Sequence, residues 1–224
     1  MYLIIWDFDG TLVDSRPLIE AGMGFTLDRL GLPPSMMQEW LKYVGLPVEE
    51  GIRRTFGPLG LEVAPVLAAY RSFAHAEHEH LLVSFGGMEA LLRELAARGV
   101  AMALATSKRG MPLDRQLARL GWTGLFEPRI TPDEVVHGKP HPESLEKCLA
   151  HHRLAPIQAV MVGDTPFDLE MAQRAGVPSV AVGHGFYPRE ALLPYGPVGY
   201  AEDVADLRTI LLDRLSAQAP GECP

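Results

Sequence analysis

Two short acidic segments carry the residue types that are best suited to chemistry in this sequence. The first is Asp7-Phe8-Asp9-Gly10-Thr11-Leu12, and the second is Gly163-Asp164-Thr165-Pro166-Phe167-Asp168. Each segment directly follows a short apolar run, which is typical of a strand buried on both faces of a parallel sheet. Ligands of open parallel sheets collect where strands end and helices begin, so we expect both segments to face one crevice.

Each segment also has an interpretation that involves no chemistry. Asp9-Gly10 is typical of a turn and Asp7 of a helix cap, while residues 165–168 fit an N-terminal capping box. The capping box leaves Asp164 without a role. Carboxylates presented by two strand ends repel one another unless a cation lies between them, and Mg²⁺ binds few carboxylates together with phosphate and water. The two segments together therefore predict a magnesium site.

A hydroxyl group and an ammonium group are predicted to complete a phosphate-binding site. Thr106 and Ser107 follow an apolar run that begins at Val100, and Lys139 lies in Gly138-Lys139-Pro140 before another helix. Hydroxyl and ammonium donors suit the non-bridging oxygens of a phosphate. Taken singly, Thr106 is typical of a turn and Lys139 of a solvated loop. Their assignment depends on the acidic segments.

The elements that must position these residues alternate between strands and helices. Helical patterns end at Gly99, Gly121 and Gly176, as expected for glycine at a helix C-terminus. The predicted strands cover residues 2–6, 100–105, 159–162 and 179–182, with a weaker one within 125–131. Alternation of this kind predicts an α/β fold with a doubly wound parallel sheet and a Rossmann-like core.

Residues 15–82 break this alternation, because their apolar positions follow helical spacing alone. Breaker residues flank the segment at Ser15-Arg16-Pro17 and Ser84-Phe85-Gly86-Gly87. An excursion this long between two strands is typical of a subdomain or a lid. We therefore predict a catalytic core of residues 1–14 and 83–215, an all-helical cap of residues 15–82, and a C-terminal tail of residues 216–224.

The composition and charge of the chain limit the classes of partner that it can bind. The chain has 224 residues, of which 47% are hydrophobic, and its net charge of −8 disfavours nucleic acids and anionic membranes. The apolar N-terminus stops at Asp7, which is too short for a membrane span or a signal peptide. Cys148 and Cys223 form no disulfide framework. These features predict a cytoplasmic protein without a membrane partner, either a monomer or a dimer.

The motifs together resemble the haloacid dehalogenase superfamily of phosphohydrolases, in its phosphoglycolate phosphatase and β-phosphoglucomutase branch. The resemblance covers nearly the whole chain, and its first motif is highly specific. The motifs in chain order are Asp7-Phe8-Asp9-Gly10-Thr11-Leu12-Val13-Asp14-Ser15, Thr106, Lys139-Pro140, and Gly163-Asp164 with Asp168. The resemblance implies a helical cap after the first motif and a Mg²⁺-dependent phosphatase.

The resemblance also implies a role for each acidic residue. Asp7 is expected to attack phosphorus and become an aspartyl-phosphate. Asp9 is expected to protonate the leaving oxygen and later to activate water. Mg²⁺ would be held by Asp7, the backbone carbonyl of Asp9 and Asp164. Asp168 would act through water or by contacting one of these ligands.

The same resemblance assigns the groups that would hold the phosphoryl group. Thr106 and Lys139 are expected to bind its oxygens, helped by backbone amides near Gly10. Ser107 is a candidate substrate contact, although phosphoglycolate phosphatases often have Asn there, which weakens a narrow assignment to phosphoglycolate. On the cap, Arg53 and Arg54 are candidates for binding a substrate carboxylate, with an ordinary surface role as the alternative.

Three functions are compatible with these residues. The first is hydrolysis of a small phosphorylated metabolite, such as a phosphoglycolate-like compound or a sugar phosphate. The second is phosphoryl transfer by a mutase of the β-phosphoglucomutase type. The third is a non-catalytic binding or regulatory module, which the presence of Asp7, Asp9, Lys139 and Asp164 disfavours.

Overall fold

A six-stranded parallel sheet forms the centre of the molecule. The computed structural model describes residues 2–73 and 77–218. The strands are β1 (Leu3–Trp6), β2 (Val13–Asp14), β3 (Val83–Ser84), β4 (Ala101–Ala105), β5 (Arg129–Ile130), β6 (Ala159–Gly163), β7 (Ser179–Val182) and β8 (Gly199–Ala201). The main sheet has the order β5-β4-β1-β6-β7-β8, and each neighbouring pair is parallel. The predicted fold class is confirmed.

The register of the three central strands brings the chemical residues to one edge of the sheet. Trp6 of β1 is paired with Leu104 of β4 and with Val162 of β6. Asp7 follows Trp6 directly, while Thr106 and Asp164 each lie two residues beyond the partners of Trp6. All three therefore emerge at the carboxyl ends of adjacent strands, where parallel sheets bind ligands.

Helices cover both faces of this sheet. The helices are α1 (Arg16–Leu30), α2 (Met36–Leu41), α3 (Val48–Phe56), α4 (Val63–Ser72), α5 (Met88–Ala97), α6 (Gly110–Leu120), α7 (Glu143–His152), α8 (Pro166–Ala175), α9 (Arg189–Leu192) and α10 (Val204–Gln218). Ile4 and Trp6 belong to one hydrophobic cluster, while Leu3 and Ile5 belong to another. This alternation places one cluster on each side of the sheet, because successive side chains of a strand point to opposite faces.

Helices α1 to α4 follow one another between β2 and β3. Their apolar side chains form a separate hydrophobic cluster, which includes Met23, Trp40, Ile52 and Phe56. At the root of this helical segment β2 and β3 pair in antiparallel fashion, with Val13 opposite Ser84. On these observations we propose that residues 15–82 form the cap.

The strands and helices differ from the sequence predictions mainly where elements are short. The four strong strand predictions are confirmed within one residue, but the weaker run over 125–131 forms only the two residues of β5. Strands β2, β3 and β8 and helices α2 and α9 were not predicted, since two to six residues carry too little periodicity. The longer helix α10 was not predicted either. Helix α10 extends three residues into the predicted tail, whose residues 219–224 lie outside the described part, as does Met1.

The described helices give no indication of a membrane span. Over residues 2–73 and 77–218, none combines the length and the apolar character needed to cross a bilayer.

Candidate active site

A buried lysine links the two acidic segments. Lys139 Nζ lies 2.6 Å from Asp7 Oδ1 and 2.6 Å from Asp168 Oδ1, and all three side chains are almost fully buried. Asp168 is in turn fixed by Thr165, whose hydroxyl and backbone N–H donate to Oδ2 at 2.7 and 3.1 Å. The capping box predicted for residues 165–168 is present at the start of α8. Asp168 therefore caps a helix with one oxygen and binds Lys139 with the other.

Asp164 lies beside this pair, held by two donors from other segments. The hydroxyl of Thr11 donates to its Oδ1 at 2.8 Å, and the backbone N–H of Phe186 donates to its Oδ2 at 2.8 Å. A Cβ atom added at Gly10 or Gly185 would lie 2.3 Å from Asp164 Oδ2. Two backbone segments thus approach the carboxylate so closely that only glycine fits at these positions.

The three buried carboxylates carry more negative charge than Lys139 can balance. Burial raises the pKa of Asp7 to about 7, although the Lys139 ammonium opposes this shift. Burial and the nearby Asp168 and Asp7 raise the pKa of Asp164 well above its ordinary value. Burial disfavours the ammonium of Lys139, but Asp168 and Asp7 together raise its pKa nonetheless. The site is therefore short of positive charge.

This shortage fits a hard divalent cation. Oxygen atoms of Asp7, Asp164 and Asp168 lie within 4.8 Å of one another, and all three residues are buried. Carboxylate oxygens are the ligands that Mg²⁺ takes in proteins, together with water and phosphate. A cation among them would favour their ionised forms and reverse the pKa shifts that burial causes. The donor set and its charge thus match the metal that the sequence predicts.

Asp9 lies at the boundary between this cluster and an open cavity. Its Oδ2 pairs with Lys108 Nζ at 3.1 Å. Its Oδ1 is buried and has no hydrogen-bond partner among the described residues. Asp7 and Asp9 both line a cavity of about 470 Å³ that lies between the strand ends and helices of the cap. Asp9 therefore borders the cavity with one oxygen held by Lys108 and the other without a partner in the described part of the chain.

Thr106 and Ser107 also line the cavity. The Thr106 hydroxyl accepts a hydrogen bond from the backbone N–H of Lys108 at 3.2 Å, so the predicted turn and a position facing the site occur together. The Ser107 hydroxyl donates to the carbonyl of Gly45 at 2.6 Å. Ser107 thereby joins the core to the loop between α2 and α3 of the cap.

Gly10 contributes to the site through its backbone conformation, whereas its amide is already hydrogen-bonded within the loop. Its φ of 83° lies in the left-handed region, where a side chain is strained. The Gly10 N–H donates to the carbonyl of Val13 at 2.8 Å. The sequence predicted that backbone amides near Gly10 donate to the phosphoryl group. For the Gly10 N–H to do so, its hydrogen bond to Val13 would have to break.

The structure does not bring Arg53 and Arg54 to the cavity. Both guanidinium groups pair with Glu50 on the same helix, and neither residue is part of the cavity lining. Arg54 also lies 5.9 Å from the ring centroid of Tyr43, which does line the cavity. Their predicted contact with substrate stays a prediction without support from this geometry.

Sequence reasoning missed three contributors to the site. They are Lys108, which pairs with Asp9, and Thr11 and Phe186, which donate to Asp164. Lys108 and Thr11 could have been found, because both stand within two residues of a predicted site residue. The Phe186 amide gave no signal, because any residue type except proline supplies a backbone donor.

A model of the family described as haloacid dehalogenase-like hydrolase matches residues 4–182. The chain belongs to this family. The superfamily resemblance inferred from the motifs is thereby confirmed. A haloacid dehalogenase-like hydrolase is an enzyme, and the matched range includes every candidate residue of the site.

Relatives of this haloacid dehalogenase-like hydrolase are similar to it over almost their full length. The chain is 31% identical to pyrophosphatase PpaX of Anoxybacillus flavithermus over 209 residues, which cover 93% of this chain and 95% of that protein. It is 30% identical to pyrophosphatase PpaX of Oceanobacillus iheyensis, with 94% and 96% covered. Both relatives carry the name pyrophosphatase.

Solved structures agree with the fold. A haloacid dehalogenase-like family hydrolase from Streptococcus pneumoniae superposes with a TM-score of 0.80 at 25% identity, covering 96% of this chain and 98% of that chain. A predicted phosphoglycolate phosphatase from Haemophilus somnus gives a TM-score of 0.81 at 23% identity, covering 94% and 98%. The second likeness concerns the fold alone.

Proposed function

We propose that this hydrolase is a Mg²⁺-dependent phosphatase that removes phosphate from a small metabolite through an aspartyl-phosphate on Asp7. The observation that carries the proposal is the placement of Asp7. Its carboxylate lies at a strand end, 2.6 Å from Lys139 Nζ, and faces a cavity that Asp9 also lines. A nucleophile, a cationic group and a separate acid are thus within one site.

The side chains divide the reaction between them. Asp7 attacks phosphorus in line, while the ammonium of Lys139 and the hydroxyl of Thr106 attract the phosphoryl oxygens. Asp9 gives a proton to the departing oxygen and then takes one from the water that hydrolyses the aspartyl-phosphate. Asp168 holds Lys139 in place for this role. Closure of the cap around the cavity excludes water from the first step.

Asp7, the backbone carbonyl of Asp9 and Asp164 would hold Mg²⁺, with Asp168 acting through water or through Lys139. When bound, Mg²⁺ supplies positive charge to the phosphoryl oxygens as negative charge develops. The cluster of buried carboxylates supports this assignment. Thr11 and the Phe186 amide orient Asp164 for it.

The substrate class predicted from the sequence is a phosphoglycolate-like compound or a sugar phosphate, and the names of the relatives add pyrophosphate as a candidate. Nucleic acids stay disfavoured, because the net charge is −8 and helices of the cap line part of the cavity. The cytoplasmic location and the monomeric or dimeric state stay predictions.

A mutase of the β-phosphoglucomutase type would use the same residues but protect the aspartyl-phosphate from water. The two activities separate in one assay, because a hydrolase releases inorganic phosphate without any sugar bisphosphate. A non-catalytic module would release none.

The decisive experiment measures phosphate release from a panel of phosphorylated metabolites by the wild type and by Asp7→Asn. The variant keeps the shape of the side chain but loses the nucleophilic oxygen, so kcat is expected to fall by several orders of magnitude. EDTA should abolish activity, Mg²⁺ should restore it, and Ca²⁺ should inhibit it. More than about a tenth of wild-type activity in Asp7→Asn would exclude the covalent mechanism.

A further inference from the structure

Beyond its phosphoryl end, the cavity is lined mainly by apolar side chains of the cap. Its volume is about 470 Å³, within the range of about 300–1,000 Å³ that is usual for pockets that bind organic molecules. The apolar lining that matters for the argument comes from Leu18, Ile19, Tyr43, Val48 and Met111. A phosphoryl group bound at Asp7 would leave most of this volume for the rest of the substrate.

Every basic side chain in the described lining of the cavity is already paired with a carboxylate. Lys108 pairs with Asp9, and three arginines pair with acidic residues outside the lining. The pairs are Arg71 with Glu49, Lys108 with Asp9 at 3.1 Å, Arg109 with Asp133 at 2.6 Å, and Arg115 with Glu79 at 2.7 Å. A second anionic group on the substrate would have to take one of these cations from its partner.

Apart from Asp9 Oδ1, the buried side-chain atoms of the described lining that lack a hydrogen-bond partner are uncharged. Trp40 Nε1 and Gln116 Oε1 are buried atoms without a hydrogen-bond partner among the described residues. Both atoms are buried from solvent, so a ligand in the cavity meets the apolar side chains of the lining, against which an unpaired charge is costly. The lining therefore favours a ligand whose second half is neutral and largely apolar.

We infer, on the basis of the phosphatase activity proposed above, that the substrate is a phosphate monoester with a neutral, apolar leaving group of about one ring or one short alkyl chain. Pyrophosphate and phosphoglycolate both carry a second anionic group, and a sugar carries several hydroxyl groups that this lining does not match. The inference thus differs from the substrates that the sequence and the relatives' names suggest.

The first experiment compares kcat/KM for phosphate release, with Mg²⁺, along methyl, propyl and pentyl phosphate. These esters have leaving groups of similar reactivity, so differences between them report binding. Each added methylene is expected to raise kcat/KM about fourfold until the cavity is filled. Benzyl phosphate, pyrophosphate and phosphoglycolate complete the panel, and kcat/KM for benzyl phosphate is expected to exceed that for both compounds with a second anionic group by at least tenfold.

The outcomes separate the inference from the function on which it rests. A flat alkyl series, or a higher kcat/KM for pyrophosphate or phosphoglycolate than for benzyl phosphate, would overturn the apolar substrate class and leave the phosphatase intact. Absence of phosphate release from every compound would overturn the phosphatase proposal itself.

A substitution in the lining tests the contact directly. Val48→Thr exchanges a methyl group for a hydroxyl group at nearly the same volume. It is expected to lower kcat/KM for pentyl phosphate about fourfold and to leave that for methyl phosphate within about twofold, since one methylene-sized contact is lost.

The matched control is Val198→Thr, the same exchange at a side chain that is 53% exposed and outside the cavity lining. This control should leave kcat/KM unchanged for both methyl phosphate and pentyl phosphate. Equal losses for methyl and pentyl phosphate in Val48→Thr would make Val48 a structural residue and refute its assignment to the leaving-group pocket.

Discussion

Replacement of Lys139 by methionine tests whether its ammonium group balances the buried carboxylates. Lys139 Nζ lies 2.6 Å from an oxygen of Asp7 and 2.6 Å from an oxygen of Asp168, and its side chain is 2% exposed. Methionine is an unbranched, apolar side chain that can fill the space of the lysine stem. Lys139→Met therefore removes the charge with little loss of packing.

The expected loss of stability is large. Removing one partner of a buried ion pair costs about 3–5 kcal/mol, because the remaining charge stays buried without compensation. In a domain of this size 1 kcal/mol corresponds to about 2–4 °C, so Tm at pH 7 is expected to fall by roughly 6–20 °C. The loss should shrink as the pH falls from 8 to 5, because burial raises the pKa of Asp7 to about 7 and protonation of this group removes part of the uncompensated charge.

The measurement is thermal and urea unfolding of both proteins in EDTA, so that no bound cation replaces the ammonium. Lys147→Met is the control, since this lysine is 43% exposed and pairs with Glu143 on its own helix. An exposed pair of this kind contributes at most about 1 kcal/mol. If both variants lose the same small stability, the carboxylates near Asp7 are not balanced by Lys139 and the electrostatic reasoning fails.

Four further expectations follow from the structure. Gly10→Ala should destabilise the fold by more than about 1 kcal/mol in urea unfolding, because φ is 83° and the new Cβ would meet Asp164 at 2.3 Å. The control Gly124→Ala, whose Cβ would meet no atom within 4 Å, should not destabilise the fold by this amount. Asp164→Asn should raise the Mg²⁺ concentration for half-maximal activity more than Asp168→Asn does, as a metal titration would measure. Burial raises the pKa of Asp7 from an ordinary value of 3.8 to about 7, so between these pH values the folded protein binds one more proton than the unfolded chain. The free energy of unfolding in EDTA should therefore fall as pH rises through this window. Mg²⁺ should raise Tm more at pH 8 than at pH 5, because the carboxylates are then ionised. Burial raises the pKa of Cys148 to about 12, so in a Cys223→Ser background iodoacetamide should label it only after unfolding, as mass spectrometry would detect.

The sequence by itself determined the sheet and the residues at its edge. Four buried strands read as continuous apolar runs because a parallel sheet covered on both faces needs apolar side chains on both faces. Three of these runs are followed within two residues by Asp7, Thr106 or Asp164, so the apolar pattern alone assigns these residues to strand ends. Local features were equally visible, such as the capping box over residues 165–168.

Only the tertiary structure decided how these residues are paired. The contact of Lys139 with Asp7 joins residues 132 positions apart, and the bond from Thr11 to Asp164 spans 153 positions. Such partners are selected by strand order and by loop paths, which hydrophobic periodicity does not encode. From the sequence we therefore predicted Asp168 as a metal ligand or a capping residue. The salt bridge between Asp168 and Lys139 was not predicted, because only the fold brings these residues together.

The cap shows the same division most clearly. Helical spacing predicted its three longer helices, α1, α3 and α4, because each must bury one apolar stripe. The same spacing could not tell which side chains face the cavity, so Arg53 and Arg54 were chosen by charge alone, whereas the structure pairs both with Glu50. Tyr43 and Val48 line the cavity instead, because the packing of the cap over the strand ends, and not any local pattern, sets which surface faces the substrate.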